Sequence, residues 1–198
     1  LIPVSPENLT CRDSGHTIPF DQPSEKSAML RLSFLWSIVL LVITPLGVTG
    51  QEEPVVVYLV RHSERAEDGT DDPPISEAGW ARSRLLSKML QDAGLTHIHS
   101  TDYKRTLSTG EPTAEATGLT IDLYDARDLA VAAALIAATP GRHLVLGHSN
   151  TTPGFVEALG GEGGTPIAEM EYDRLYIVTL FQGSVSSVLL RFGEKFSG

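Results

Sequence analysis

The stretch Val55-Val-Val-Tyr-Leu-Val-Arg-His-Ser-Glu-Arg65 decides how the rest of the chain is read. A short β-branched and aromatic run stops at an Arg-His pair, and charged residues follow. The run is too short and too apolar for a surface helix, and it reads as a buried strand of a parallel sheet. In open α/β sheets ligands bind just beyond the carboxyl ends of the strands, which is where Arg61 and His62 fall. An imidazole beside a planar, permanently charged guanidinium in such a crevice points to chemistry on an anion, phosphate or carboxylate.

Working outward, Ser76 is a plausible N-cap for a helix through Trp80, Leu85, Leu86, Met89 and Leu90, with Gly94 as its C-terminal cap. Leu95 to Ser100 is a second short strand, and Thr101 to Arg105 the turn into a helix toward Gly118. Gly110 and Pro112 predict a kink or break in that helix. Leu119 to Leu123 is a third strand, Asp128 caps an Ala-rich helix over Leu129 to Ala138, and Arg142 to Gly147 is a fourth strand that stops at His148. A short helix from about Thr152 to Leu159 and a glycine run, Gly160 to Gly164, come next. Tyr172 to Phe181 and Ser184 to Phe192 then form a hairpin turned at Gln182-Gly183. Strand and helix alternate up to the glycine run. The expected fold is therefore α/β, a three-layer α/β/α sandwich with a mostly parallel central sheet and an antiparallel strand added by the C-terminal hairpin.

Upstream, residues 1–28 are polar and aperiodic and read as disordered, or as a mis-assigned extension ahead of a true start at Met29. Residues 29–50 have a basic start, an apolar run from Leu32 to Leu46 and small residues up to Gly50. This is the pattern of a signal peptide, with an uncleaved N-terminal anchor as the second reading, since the run is shorter than the ~20 residues of a comfortable span. The expectation is a domain over 51–198, exported to a periplasmic or extracellular location after cleavage or else held at a membrane by the uncleaved helix. No stable membrane insertion is expected after cleavage. The single cysteine, Cys11, permits no disulfide framework, no thiolate metal site and no cysteine nucleophile in the domain. With 198 residues, a formal charge of -10 and 41% hydrophobic residues, the chain is long enough for a real core and too acidic for nucleic acid to be its main partner.

Three strands end in residues suited to chemistry: Arg61-His62, Asp102 to Arg105, and His148. Taken singly each has an ordinary reading: a strand-end ion pair, a buried hydrogen-bonded histidine, a solvated helix arginine, a turn histidine. Together, Val60-Arg-His-Ser-Glu64, Ser100-Thr-Asp-Tyr-Lys-Arg105 and Gly147-His-Ser-Asn150 resemble the histidine phosphatase superfamily, also called phosphoglycerate mutase-like. The likeness extends over nearly all of Val55 to Phe192. It implies that His62 is a nucleophile that carries the phosphoryl group as phosphohistidine, that Arg61, Arg105 and His148 bind the phosphoryl oxygens, and that no cofactor or metal is needed. Arg65 and Asn150 are added as substrate contacts. Asp125, just past the third strand, is the candidate general acid and equally reads as a turn residue; Glu64 is the second candidate.

The expected activity is metal-independent hydrolysis of a small phosphorylated substrate. The alternatives are a non-catalytic phosphate- or phospho-ligand-binding module on the same fold, a phosphomutase, and a phosphohistidine protein phosphatase. The lack of long insertions favours hydrolysis over phosphoryl shuttling. His97-x-His99 is a weak metal candidate. Asn8 and Asn150 each open a glycosylation sequon. The Gly160 to Gly164 run reads as a turn or a lid. Specificity is expected from 64–74, 101–104 and 160–166, and the oligomeric state is left open.

Overall fold

The computed structural model describes residues 53–198. The readings for 1–28 and 29–50, with Cys11 and the Asn8 sequon, lie outside the described residues. The elements are β1 (Val55–Arg61), α1 (Glu77–Leu90), β2 (His97–Ser100), α2 (Lys104–Thr117), β3 (Ile121–Leu123), α3 (Leu129–Ala137), β4 (Arg142–Gly147), α4 (Thr152–Ala158), β5 (Arg174–Phe181) and β6 (Ser184–Arg191). Six strands form one sheet in the order β3-β2-β4-β1-β5-β6. β1 to β4 are mutually parallel, β5 runs antiparallel to β1, and β6 antiparallel to β5. This is the α/β class expected, mostly parallel with antiparallel C-terminal strands. No helix among the described residues is long and apolar enough to cross a membrane.

Alternation along the strands sorts the core into two layers. Val57, Leu59, Val145, Tyr176 and Val178 face α3 and α4 through Ala132, Ala133, Ile136, Phe155 and Val156. On the other face Val60, Ile98, Leu144, Leu146 and Leu175 meet Leu86 and Leu90 of α1. β1 and β4 are central and covered on both sides, which is why they are nearly continuous apolar runs. Their register pairs Arg61 with Gly147. The next residue of each strand is a histidine, so the register alone places His62 beside His148.

Local signals hold in most places. Ser76 Oγ accepts from Gly79 N–H at 3.2 Å, and Asp128 accepts from Val131 N–H at 3.2 Å, as N-caps do. Gln182 (φ 49°) and Gly183 (φ 75°) are both left-handed, the backbone that a two-residue hairpin of type I′ requires. Two expectations fail. α1 ends at Leu90 with Gln91 as its cap, so Gly94, although left-handed at φ 66°, sits past the helix. α2 is not broken at Gly110 and Pro112 but runs unbroken to Thr117. The glycine is there for packing: a Cβ at Gly110 would lie 2.4 Å from Leu146 Cδ1 and 3.3 Å from Ile121 Cδ1. The Pro112 carbonyl accepts a hydrogen bond from Ser87 Oγ of α1 at 3.0 Å. Close contact with the sheet and with α1 outweighs the roughly 3 kcal/mol propensity deficit of an interior proline.

The His97 and His99 rings do share a face of β2, where they meet His143 of β4. The three rings are nearly parallel, with centroids 4.5 Å (His97–His143), 5.3 Å (His99–His143) and 6.0 Å (His97–His99) apart. His143 Nε2 donates to the Thr139 carbonyl at 3.0 Å, which leaves its Nδ1 to accept from His99 Nε2–H at 3.0 Å. His99 Nε2 and both nitrogens of His143 are engaged in this way, His97 Nδ1 lies 2.8 Å from Thr96 Oγ1, and among the described residues no group of three His, Cys, Asp or Glu side chains could hold a metal ion. Burial lowers His99 to about 4, with His143 as the next cause, and burial also lowers His143.

The unfolded chain, with histidines near 6.5, therefore binds protons between about pH 6.5 and 4 that the folded chain does not, and stability falls as pH drops through that window. Thermal unfolding followed from pH 7.5 to 5 should show a falling Tm; a Tm that is flat or rises toward pH 5 would contradict the neutral stack.

Candidate active site

The site forms where β1 and β4 end. His62 N–H donates to the Gly147 carbonyl at 2.8 Å, which extends the strand pairing by one residue and fixes the backbone of the first histidine. The His62 and His148 rings meet edge to face, with centroids 5.5 Å apart. Behind them the Gly147 backbone is closely packed: a Cβ there would lie 3.0 Å from Thr152 Oγ1 and 3.1 Å from Tyr124 Oη.

His62 Nδ1 lies 2.8 Å from the Ser63 carbonyl. A carbonyl only accepts, so Nδ1 carries the proton and Nε2 keeps its lone pair. Burial pushes the imidazole down to about 3; the Ser63 bond opposes this, while Arg61, His148 and Arg105 add to it. His62 is therefore neutral at physiological pH. His148 is lowered to about 4 by burial, then by Arg105 and Arg61. Its Nε2 is 2.9 Å from Thr101 Oγ1, which is 2.9 Å from Thr106 Oγ1. Thr106 has backbone carbonyls of Thr101 and Tyr103 at 2.9 Å as acceptors for its own proton. Thr101 Oγ1 thus bridges His148 Nε2 and Thr106 Oγ1 and anchors the second imidazole to the first turn of α2.

Arg61 is 5% exposed. Its Nη1 donates to the carbonyls of Ala168, Glu169 and Glu171 at 2.8, 2.7 and 3.1 Å. Its guanidinium carbon lies 4.2 Å from the centroid of the Tyr172 ring, a cation–π contact. Its Nε is buried and has no hydrogen-bond partner among the described residues. A buried orphan guanidinium N–H is costly unless something anionic comes to it. Arg105 enters from the first turn of α2, over the Tyr103 ring at 4.4 Å and 3.5 Å from Asp72.

The carbonyls that grip Arg61 are fixed by a buried ionic cluster. Glu171 takes Arg174 Nε at 2.6 Å, Arg191 at 2.6 Å and the Ala168 N–H at 3.0 Å; Asp173 takes Arg191 at 2.5 Å. Arg174 also reaches the Thr165 carbonyl and Tyr176 Oη. None of these four was singled out from sequence. The available signal was the run Glu171-Tyr-Asp-Arg174, three charges at the head of an otherwise apolar strand, which reads there as ordinary surface polarity.

A cavity of about 340 Å³ is lined by Arg61, His62, Arg65, Tyr103, Arg105, Ala126, Arg127, His148, Ser149, Asn150, Thr151 and Glu169. Two hollows elsewhere are larger, about 420 Å³ around Val55, Phe181 and Gln182 and about 510 Å³ around Arg82, Tyr172 and Phe196. Neither contains a histidine, and the chemistry of the lining outweighs volume. The predicted Arg61, His62, Arg105, His148, Arg65 and Asn150 thus come together at one cavity.

Asp125 does not join them. It is half exposed, forked by the Arg127 guanidinium at 2.7 to 3.2 Å, and held down at about 2 by the Arg127 side-chain and backbone hydrogen bonds. As placed it is ionised and cannot act as a proton donor. Glu64 is likewise engaged, ion-paired to the buried Arg82 at 2.8 Å and off the cavity. The Gly160 to Gly164 run does not cover the site; Gly160 and Gly161 pack on Val185 and Ser187 of β6. Arg127 and Glu169 are lining residues outside the stretches singled out from sequence, whereas Tyr103 belongs to the expected 101–104 stretch.

The proton placement has a direct check. In a 15N NMR titration without phosphate, His62 should appear as a neutral Nδ1–H tautomer that stays neutral from pH 8 to 5. An ordinary titration near 6.5 would contradict the desolvated site.

Residues 57–128 match the model of the histidine phosphatase superfamily (branch 1). The Probable phosphoglycerate mutases GpmB of Yersinia pestis and Yersinia pseudotuberculosis are 39% identical over 71 residues, 33% of this chain and 33% of theirs, so the chain matches about a third of the length of these curated relatives. Among solved structures, the protein histidine phosphatase SixA complexed with tungstate superposes with a TM-score of 0.57 at 20% identity, over 69% of this chain and 96% of that one. A SixA of Agrobacterium tumefaciens gives 0.55 at 24% identity, over 70% and 99%. A mycobacterial glucosyl-3-phosphoglycerate phosphatase gives 0.56 at 13%, over 71% and 99%. These structural likenesses carry the fold.

Proposed function

We propose that this chain, whose residues 57–128 are those of a histidine phosphatase superfamily domain, is a phosphatase acting on small phosphorylated substrates through phosphohistidine at His62. One observation carries the reading: a buried, neutral imidazole with its Nδ1 proton tied to the Ser63 carbonyl lines the same cavity as Arg61, whose buried Nε–H lacks an acceptor. A phosphoryl oxygen satisfies the orphan donor and brings phosphorus to the free Nε2 lone pair.

His62 Nε2 attacks phosphorus, the bond to the leaving oxygen breaks, and the phosphoryl group rests on the ring. Arg61, Arg105 and His148 meet the charge on the transferring oxygens at the buried floor of the cavity, where such interactions are strongest. A water then attacks phosphorus, the N–P bond breaks and its electron pair returns to Nε2. The arginines supply the positive charge that a metal ion would otherwise bring, so the reaction proceeds without one. A probable phosphoglycerate mutase is among the relatives, alike over 71 residues. Hydrolysis is favoured here because the mouth is open: Arg65 and Arg127 line the cavity with side chains 53% and 90% exposed, and water reaches the intermediate.

Hydrolysis of p-nitrophenyl phosphate should survive EDTA and be lost in His62→Ala. Equal turnover by both proteins would remove His62 from the mechanism. Phosphate binding without turnover by either would favour a binding module.

A further inference from the structure

The cavity has an outer tier that one phosphoryl group does not use. Arg61, Arg105 and His148 surround His62 within; Arg65 and Arg127 line the mouth. Tyr103 joins the tiers, with its ring 4.4 Å from the Arg105 guanidinium carbon and 5.0 Å from the His148 centroid. Each outer guanidinium already holds an anion. Glu169 lies 3.0 Å from Arg65, and Asp125 forks Arg127. Those carboxylates are 65% and 51% exposed, and ion pairs in water contribute little. They stand where an anionic group of the substrate can replace them, and the planar guanidinium suits a phosphate oxygen pair as well as a carboxylate.

The same pairing bears on the leaving group. A departing alkoxide needs a proton from a positioned acid. The carboxylates around the cavity, Glu169, Asp125 and Asp72, are each ion-paired to an arginine (Arg65, Arg127 and Arg105) and are 65%, 51% and 37% exposed, so none is a buried acid poised over the leaving oxygen. A leaving group that departs as a stable anion needs no such proton.

Resting on the phosphatase reading above, we propose that the substrates are phosphoanhydrides, with the terminal phosphoryl group in the inner tier and the adjacent phosphate at the mouth against Arg127 and Arg65. His62 Nε2 forms the N–P bond, the bond from terminal phosphorus to the bridging oxygen breaks, and that oxygen keeps the electron pair as part of the released phosphate anion. Water then attacks phosphorus, the N–P pair returns to Nε2, and the proton from water goes to solvent. Arg127 is the specificity-determining residue; it touches the departing phosphate and not the reacting phosphorus.

Three probes separate charge from basicity in the leaving group: inorganic pyrophosphate (anionic, weakly basic), p-nitrophenyl phosphate (weakly basic, with no second anionic group) and ethyl phosphate (strongly basic). With EDTA present, the first two should turn over with similar kcat, and ethyl phosphate about a hundredfold more slowly, the size of a missing general acid. Arg127→Gln should raise KM for pyrophosphate about tenfold more than KM for p-nitrophenyl phosphate, as expected for one charge-assisted contact. The proposal is overturned if ethyl phosphate is turned over as fast as the aryl ester, if Arg127→Gln raises both KM values alike, or if pyrophosphate is inert while the aryl ester is cleaved by His62. His62-independent turnover of every probe would instead overturn the underlying phosphatase reading.

Discussion

The site depends on the hydrogen bond from His62 Nδ1–H to the Ser63 carbonyl. It determines which nitrogen is basic, and it does so within one dipeptide, so the tautomer is set as soon as β1 is in place. Strand pairing holds that dipeptide: His62 N–H continues the β1–β4 ladder by donating to Gly147. Burial then keeps the ring neutral despite a bond that favours its charged form. The result is an uncharged imidazole beside a neutral His148 and two guanidinium groups, Arg61 and Arg105, whose positive potential opposes protonation of the ring and suits an anion in the cavity. On the proposed reading, the arrangement that suppresses the proton also recruits the substrate.

Burying guanidinium groups is costly, and the molecule meets that cost with backbone oxygen. Arg61 is held by three carbonyls of the segment 168–171, and that segment is held in turn by Glu171 and its arginine partners. A buried ion cluster of this kind is weak evidence for stability, because desolvation offsets much of its attraction. Its effect here is on position. Glu171 ties the N–H of Ala168 while the Ala168 carbonyl takes Arg61, so the antiparallel hairpin at one side of the sheet orients a guanidinium at the end of the central strand. Arg61 is left with one buried donor, Nε, unsatisfied, and its side chain lines the same cavity as the His62 ring.

Much of this was legible in the chain because it depends on strand order and strand ends. Apolar runs bounded by Arg-His and by Gly-His identify two parallel strands, and parallel register carries both histidines to one edge without any further information. What was not legible is set by partners distant in sequence or by side-chain choice. Asp125 follows a strand, as an acid should, yet Arg127 two residues on turns toward it and holds it ionised. Glu64 lies in the signature itself, but Arg82 of α1 captures it. Gly110 and Pro112 predict a kink or break, but α2 is not broken, and Gly110 packs against Leu146. The role of Glu171 depends on Arg191, twenty residues away on the far strand of the hairpin, and no local pattern announces it.

The most direct test of the central claim is to trap the intermediate. Mixing the protein with a phosphate ester, quenching in alkali and mapping the modified peptide by mass spectrometry should place an acid-labile, alkali-stable phosphoryl group on the His62 ring, absent from His62→Ala. A phosphoryl group on His148 or on any other residue, or turnover with no adduct on His62 under conditions that preserve phosphohistidine, would contradict the account.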